Sequence, residues 1–540
     1  MSDAIRIHLA IMQPGTYVHS LGFLDQARYL RYQLRRLGAE VSLGKNRLRE
    51  DAINIIFGGH LSFEPELLER HRCVFFNLEQ LGDGGAQLSP AYLKLLRESP
   101  VIDYDADNAA AYRDAGAEDV PVVPFLFAPY LQSDQSPPLE DRPIDLLFFG
   151  STNPRRRAFI ERIEATGRQV SCFDRPLYGP ERDAYIRQAK AVVNCHFYES
   201  NRFEQARASL CLSLGTPYIS ERGPGARPAP AYEEAVFWLG DDEKFESFFA
   251  TQFAQPDFYS AAREKLHGFQ RHDPAEAYAA LLNFVQRTPI FAANQEPWRP
   301  SRINLGSGKD YKRGWFNVDV LDRAEPDLVL DLGQTVSLPV RANTRLGGRV
   351  ELAADSVDLI YANNVLEHVP DLPMLMGNAL ALLKEGGVFE IEVPYEKSLT
   401  AWQDPTHLRA LNENSWLYYT DWFWYLGWFE HRFVIIESQW LDLALQPCEQ
   451  ETAAFMRVKL AKTQTSPAER VTARMMRPDF GGVPKTEATL NRSSPGRASS
   501  RGAVCGVANP RHSPAMAVVC ALRPIPTRGA HLRQDLFSVA

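Results

Sequence analysis

The sequence predicts an α/β chain of three doubly wound units in series, followed by a disordered tail. Short apolar stretches of strand length alternate with amphipathic helical stretches up to about residue 462. Two polar, proline-bearing segments, "SDQSPPLEDRP" and "RTPIFAANQEPWRPS", interrupt that alternation and mark a hinge and a linker. A glycine turn follows an apolar strand at Gly306, and an acidic residue, Asp319, ends the next strand.

The bulk numbers bound the answer. A chain of 540 residues is too long for one core. Its 45% apolar and 23% charged content is that of a soluble globular protein, and a net charge of −8 gives no reason to expect nucleic-acid binding. No apolar run approaches the ~20 residues that span a bilayer. The opening "MSDAIRIHLAIMQPG" carries Asp3 and then a strand-like alternation, so no secretory signal is expected. The seven cysteines are scattered without a C-x-x-C pair, so neither a zinc site nor a disulfide framework is indicated, no metal is expected, and the cytoplasm is the default location.

The first unit, 1–135, opens with the strand "IRIHLAIM" and the helix "LDQARYLRYQLRRLG", ending at Gly38. "INIIFGG", "CVFFNLEQ" and "VPVVPFLF" read as further buried strands. The second unit, 141–290, restarts with "IDLLFFGS" and continues through "QVSCF", "AVVNCHFYE" and "TPYISE", with helices between. Two such runs joined by a hinge imply two sheets facing each other across a cleft. The third unit, 301–462, runs "RINLG", "FNVDV", "VDLIYANN", the helix "LPMLMGNALALLKEGG" and "VFEIEVP", and ends in "HRFVIIESQWL" and "AAFMRVKLAKT", expected to pair antiparallel. Residues 463–540 are rich in Arg, Pro, Gly, Ser and Ala; they are expected to be a disordered basic tail whose deletion after Lys462 leaves activity and stability intact.

Gly306 and Gly308 allow positive φ and close approach of a ligand to the backbone, and Asp319 is placed to accept both hydroxyls of a ribose. A nucleoside-containing cofactor is implied. NAD is disfavoured: the third glycine of the dinucleotide motif would fall at Tyr311, and the ten residues between Gly308 and Asp319 leave room for about one helical turn.

In order, "INLGSG", "GWFNVDV", "DSVDLIYANNVLEHV", "LLKEGGVFEIEVP" and "DPTHLRAL" resemble the class I S-adenosylmethionine-dependent methyltransferases, with a Rossmann-like fold. The resemblance implies that Gly306, Ser307 and Gly308 cradle the methionine part of the cofactor, that Asp319 holds the ribose, and that Asp331 or a neighbour lies near the adenine. Asn363 and Asn364 would line the site beside the sulfonium. Asn304 stands where the family often has an acidic residue, so contact with the cofactor's amino group departs from the pattern.

A hydroxyl acceptor needs a base. His407, in "DPTHLR", and His368, in "NVLEHV", are the candidates, with Asp404 and Glu367 beside them. The alternatives are a loop cap for His407 and a packed helix-start residue for His368. Arg409 could bind an acidic acceptor or make a surface ion pair. The aromatic stretch "ENSWLYYTDWFWYLGWFEHRF" reads either as core or as a surface for sugar rings.

Residues 1–290 resemble the GT-B glycosyltransferases in "NIIFGGHL", "FFNLEQLGDG", "DLLFFGSTNPRRRAFIERI" and "VVNCHFYESNRFEQARASLCLSLGTPYISE". Asn153 is expected to cap a helix that starts at Pro154 and ends at Gly167. Arg155, Arg156 and Arg157 crowd its first turn, where the dipole disfavours cations, which points either to a bound anion or to arginines that fan into solvent or pair with nearby acids. Gly150, Ser151, Arg155, Arg156, Glu199 and Glu204 are the expected nucleotide-sugar contacts, with His196 and Glu79 as further cleft residues. Leu210 stands where the family often has a ribose-gripping glutamate, and Glu204 is the substitute. The combined expectation is a bifunctional transferase acting on a glycan or sugar-containing precursor, with S-adenosylmethionine as cofactor, a nucleotide sugar as donor, and peripheral association with surface-polysaccharide machinery. Its rivals are a methyltransferase whose front half only binds glycan, and a nicotinamide-dependent sugar dehydrogenase.

Overall fold

The structure is a computed structural model that describes residues 5–81, 85–109, 112, 120–133, 136–173, 176–197, 203–223, 227–240, 244–287 and 296–476. The first sheet holds β1 (Arg6–Ile11), β2 (Glu40–Lys45), β3 (Ile53–Phe57), β4 (Cys73–Asn77) and β5 (Val101–Asp103), all parallel in the order β2-β1-β3-β4-β5. Strand residues divide by parity between two apolar clusters. Ile53, Ile55 and Phe57 pack into one and Ile56 into the other, so both faces of the sheet are covered.

The second sheet holds β6 (Ile144–Phe148), β7 (Val170–Cys172), β8 (Ala189–Asn194), β9 (Tyr218–Glu221) and β10 (Phe237–Leu239), parallel in the order β10-β9-β8-β6-β7. Read from β7, this is the strand order of the first sheet. The two doubly wound halves expected from the sequence are present, with two differences. "VPVVPFLF" is extended but forms only one bridge, Val122 with Asp103; Pro121 and Pro124 lack the donors a ladder needs. The last helix of the expected second unit, Ala275–Arg287, instead buries Tyr278, Leu281 and Val285 in the core of the first.

The third sheet contains β11 (Arg302–Leu305), β12 (Phe316–Asp319), β13 (Leu328–Val329), β16 (Val357–Asn363), β17 (Leu383–Pro394), β18 (His431–Leu441) and β19 (Phe455–Gln464), while β14 (Val340–Asn343) and β15 (Arg349–Leu352) form a separate hairpin. Its order is β13-β12-β11-β16-β17-β19-β18, with β19 antiparallel to both neighbours. The last two strands pair antiparallel as expected, and β19 inserts between β17 and β18. The helix Leu372–Leu382 ends earlier than its sequence suggests, because "LKEGG" turns into β17 with a register shift opposite Val357 and Leu359.

No helix joins β11 to β12. Asn317 organises the loop instead: its Nδ2 donates to the Lys312 and Trp315 carbonyls and to Asp327 Oδ2, while its Oδ1 accepts from Lys312 N and Asn304 Nδ2. Tyr311 donates to Asp327 Oδ1 at 2.7 Å, completing a buried polar network that does the work of the missing helix. The front module bears on this loop and on the hairpin: Arg47 lies over Tyr311, Arg70 lies 3.7 Å over Trp298, and Glu50 N donates to the Leu346 carbonyl. At the hairpin turn, a Cβ on Gly347 would come within 2.2 Å of Asp51, so this close seating requires glycine.

The expected tail boundary at Lys462 moves. Lys462 is buried within β19 and donates to Asp355 and the Leu383 carbonyl; the strand continues to Gln464, and Thr465 is also buried. A cut after Lys462 would therefore remove the end of a central strand. Residues Pro467–Met475 form a helix capped by Ser466 and Glu469, contrary to the expected disorder there, and the rest of the proposed tail lies outside the described residues. No helix among the described residues is long and apolar enough to cross a membrane.

Candidate active site

The strand order of the third sheet reverses between β11 and β16, and loops at such a switch point diverge to leave a crevice beyond the strand ends. The residues expected to hold a cofactor gather there. Gly306 to Gly308 follow β11, Asp319 ends β12, Asp331 follows β13, and Asn363 and Asn364 end β16. Gly306 has φ +65°, and a Cβ there would lie 2.3 Å from Val365 Cγ2, so only glycine fits. Asp319 accepts from Gly308 N and from Leu321 N, both at 2.8 Å, which ties the glycine turn to the end of β12. Asn364 has φ +52° and is exposed beside the crevice, a strained conformation of the kind found at binding sites. Asp331 is exposed and receives Gly333 N.

Two of these residues behave in ways composition could not reveal. Asn304 spends its amide on the Asp310 carbonyl and Asn317 Oδ1, so it braces the loop where the family pattern would place an acidic group. Ser307 is buried, and its Oγ has no hydrogen-bond partner. An orphaned hydroxyl in a glycine cradle fits a polar ligand group, as the amino-acid end of S-adenosylmethionine would supply.

Beside Val365 lies a second polar group. Glu367 and His368 sit in the 3₁₀ turn Leu366–His368, and His407 comes from the loop after Asp404. Leu408 N donates to the Glu367 carbonyl at 2.8 Å and joins the two segments. His407 Nδ1 faces the Ala401 carbonyl at 2.8 Å, and His368 Nδ1 faces Thr406 Oγ1 at 3.0 Å. Thr406 has already given its hydroxyl hydrogen to Asp404, so it must accept from His368. Each ring therefore carries its hydrogen on Nδ1 and its lone pair on Nε2. The rings meet edge to face, with centroids 4.8 Å apart.

Glu367 is 2% exposed, and neither carboxylate oxygen meets a hydrogen-bond partner in another residue; the closest cation-capable group is His407 Nε2 at 3.9 Å. Burial pushes its carboxyl up to about 7. The expectation of no metal site rested on the cysteines. Among the described residues, however, Glu367, His368 and His407 bring one possible ligand atom each within 4.8 Å of the others. Separation by nearly forty residues concealed the grouping in the sequence. Arg409 donates to the Pro370 carbonyl and makes no ion pair with an acid among the described residues.

In the front module, Asn153 accepts from Arg156 N and caps the helix Pro154–Glu164, as expected. Two of the three arginines are answered from within the protein, while Arg157 is exposed. Arg155 makes a bidentate pair with Glu221, both bonds at 2.6 Å. Arg156 is 2% exposed and donates to Glu204, the Cys195 carbonyl and the Ser151 carbonyl. Glu204 stands at the N-cap of the helix Gln205–Ser213, held by both Arg156 and Arg207, rather than within that helix facing a ribose. Gly150 has φ +125°, and the Arg156 and Arg207 guanidinium groups lie where its side chain would be. Ser151 is exposed, and Glu199 lies outside the described residues. The neutralising carboxylate at Glu221 lies 66 residues from Arg155, beyond the reach of local sequence reasoning. His196, at the end of β8, is buried with both ring nitrogens unpartnered, and burial lowers its pKa. Glu79 lies 3.6 Å from His60 at the matching edge of the first sheet.

A family model described as a methyltransferase domain matches residues 250–440. The match begins within helices of the front module and stops before β19, which completes the sheet. The chain is 26% identical over 172 residues to the uncharacterized protein L140 of Acanthamoeba polyphaga mimivirus, covering 30% of this chain and 52% of that protein, so it spans about half the length of this curated relative. Among solved structures, it is similar to an S-adenosylmethionine-dependent methyltransferase from Mesorhizobium loti (15% identity, 30% of this chain and 91% of that chain, TM-score 0.19). It is also similar to WaaG, a glycosyltransferase involved in lipopolysaccharide biosynthesis (10% identity, 52% of this chain and 100% of that chain, TM-score 0.34).

Proposed function

We propose that the C-terminal domain transfers a methyl group from S-adenosylmethionine to a hydroxyl of a sugar-containing acceptor. The observation that carries this reading is the crevice at the ends of β11, β12 and β16, where a glycine cradle tied to Asp319 surrounds an orphaned Ser307 hydroxyl. Gly306, Ser307 and Gly308 would hold the amino-acid end of the cofactor, Asp319 its ribose, and Asp331 would lie toward the adenine. The cofactor supplies an electrophilic methyl on a sulfonium; the chain's own part is to position the acceptor oxygen in line and receive its proton. Glu367, His368 and His407, beside Val365, are the groups assigned to the proton.

The aromatic stretch supports a sugar acceptor by its division. Trp416, Tyr419 and Phe423 are buried in the core, whereas Tyr418, Trp422 and Tyr425 are exposed, with Tyr418 in ring contact with each of the other two, a surface able to stack on sugar rings. Calorimetry with S-adenosylhomocysteine and NAD tests the cofactor assignment: the homocysteine should bind and NAD should not, and the reverse would favour a sugar dehydrogenase. His407→Gln should abolish transfer of labelled methyl while sparing S-adenosylhomocysteine binding, and unchanged turnover would remove the histidine from the reaction.

For residues 1–290 we infer a sugar-nucleotide or glycan site between the two like-ordered sheets, near His196 and Glu79. Titration of UDP, GDP, ADP and dTDP into the full chain decides between the two. Binding of one nucleotide would make the front half a sugar transferase acting with the methyltransferase. Binding of none would favour a module that holds glycan for methylation.

A further inference from the structure

We propose that Glu367, His368 and His407 bind one divalent transition-metal ion of the zinc, cobalt or manganese class, with a coordination position left open for the acceptor oxygen. Binding stands on the site's geometry alone; the ion's chemical role rests on the methyl-transfer reading above.

Three independent features point to a ligand. The first is the convergence of one possible ligand atom from each side chain within 4.8 Å. Two atoms bound ~2.1 Å from a common tetrahedral ion stand roughly 3.4 Å apart, so a contraction of at most about 1.4 Å completes the site. The second is Glu367, a carboxylate 2% exposed without a hydrogen-bond partner in another residue, facing His407 Nε2. A buried carboxylate in this position is costly unless an opposite charge meets it, and among the described residues no arginine or lysine lies within ion-pair distance. The third is the second set of bonds. The Ala401 carbonyl and the Thr406–Asp404 pair fix hydrogen on Nδ1 of both rings, the arrangement that raises the basicity of a ligating Nε2.

The ligand set selects the class of ion. Imidazole with carboxylate suits zinc, cobalt, manganese or iron, whereas magnesium prefers oxygen throughout. Three protein ligands also leave the open position of a catalytic site. An acceptor hydroxyl bound there would lose its proton more readily, so with the ion in place the three side chains act on that proton through the ion rather than as the accepting base, and solvent takes it. Its oxygen would then form the O–CH3 bond as the S–CH3 bond breaks, and the electron pair stays on sulfur as S-adenosylhomocysteine.

The 540-residue chain, stripped by chelator, is titrated with Co2+ and followed by its visible absorption; Mn2+ and Zn2+ are then titrated by calorimetry. The expected result is saturation at one ion per chain, weakened at least tenfold in Glu367→Gln, His368→Gln and His407→Gln. Near-ultraviolet circular dichroism checks that each variant is folded, and the wild-type cobalt spectrum needs no variant. S-adenosylhomocysteine is titrated into the same samples. If it binds while no ion does, the ion is overturned. If an ion binds equally in all three variants, the assignment to these residues is overturned. If the ion binds and S-adenosylhomocysteine does not, the site stands and the methyl-transfer reading falls.

Discussion

At the start of the helix Pro154–Glu164, Arg155 and Arg156 meet Glu221 and Glu204; at the ends of β11 and β16, Ser307 Oγ and the Glu367 carboxylate meet no partner in another residue. Sequence draws more attention to the first place, because three arginines at a helix N-terminus oppose the dipole. Tertiary structure reverses the emphasis. Where a buried charge is already paired, the group holds the fold; where a buried polar group is left open, a ligand is the economical explanation.

Five substitutions, one of them a control, would break or sharpen this contrast. The largest effect is expected from Arg156→Ala. It removes a guanidinium 2% exposed and strips Glu204 of one of its two cations, at a cost of about 3 kcal/mol in urea unfolding. A change near zero would free Arg156 for a ligand role. Next is Gly306→Ala, whose new methyl meets Val365 and whose φ disfavours a side chain; S-adenosylhomocysteine should bind at least about 100-fold more weakly, near 2.7 kcal/mol. Gly308→Ala is its control. Its φ of +47° disfavours a side chain as at Gly306, but the added carbon meets only the Gly306 carbonyl oxygen at an ordinary 3.8 Å; it should lose only severalfold, and an equal loss at both positions would argue against steric exclusion at Gly306.

Arg155→Ala should be milder, about 1 kcal/mol, because its side chain is 37% exposed and its pair with Glu221 is screened by solvent. The smallest change belongs to Glu367→Gln in metal-free protein. With no bonded partner to lose, stability should hold within about 0.5 kcal/mol or rise, while methyl transfer by the ion-loaded protein falls. A large loss of stability there would make Glu367 a structural residue and remove the distinction between the two sites.

Several features were legible because they are local. The apolar strands β1, β3 and β4, the Asn153 cap, the Gly38 stop and the glycine turn at Gly306 all follow from short-range pattern and backbone preference. The strand-like reading of "VPVVPFLF" failed because apolarity says nothing about donors, and two prolines remove them. The helix at Pro467–Met475 was read as tail because its capping box stands in a polar, Arg- and Thr-containing context. The boundary at residue 290 failed because the helix Ala275–Arg287 returns to the first core.

By itself the sequence determined the α/β class, the succession of three doubly wound units, and the strand ends that carry Gly306, Asp319, Asn363 and Asn364. Only tertiary structure decided which charges were already spent and which were not. It placed Glu221 against Arg155 across 66 residues and set His407 beside Glu367 across forty. The reason is physical. Secondary structure follows from preferences expressed within a few residues, whereas satisfaction of a buried charge depends on whatever the fold brings to its side.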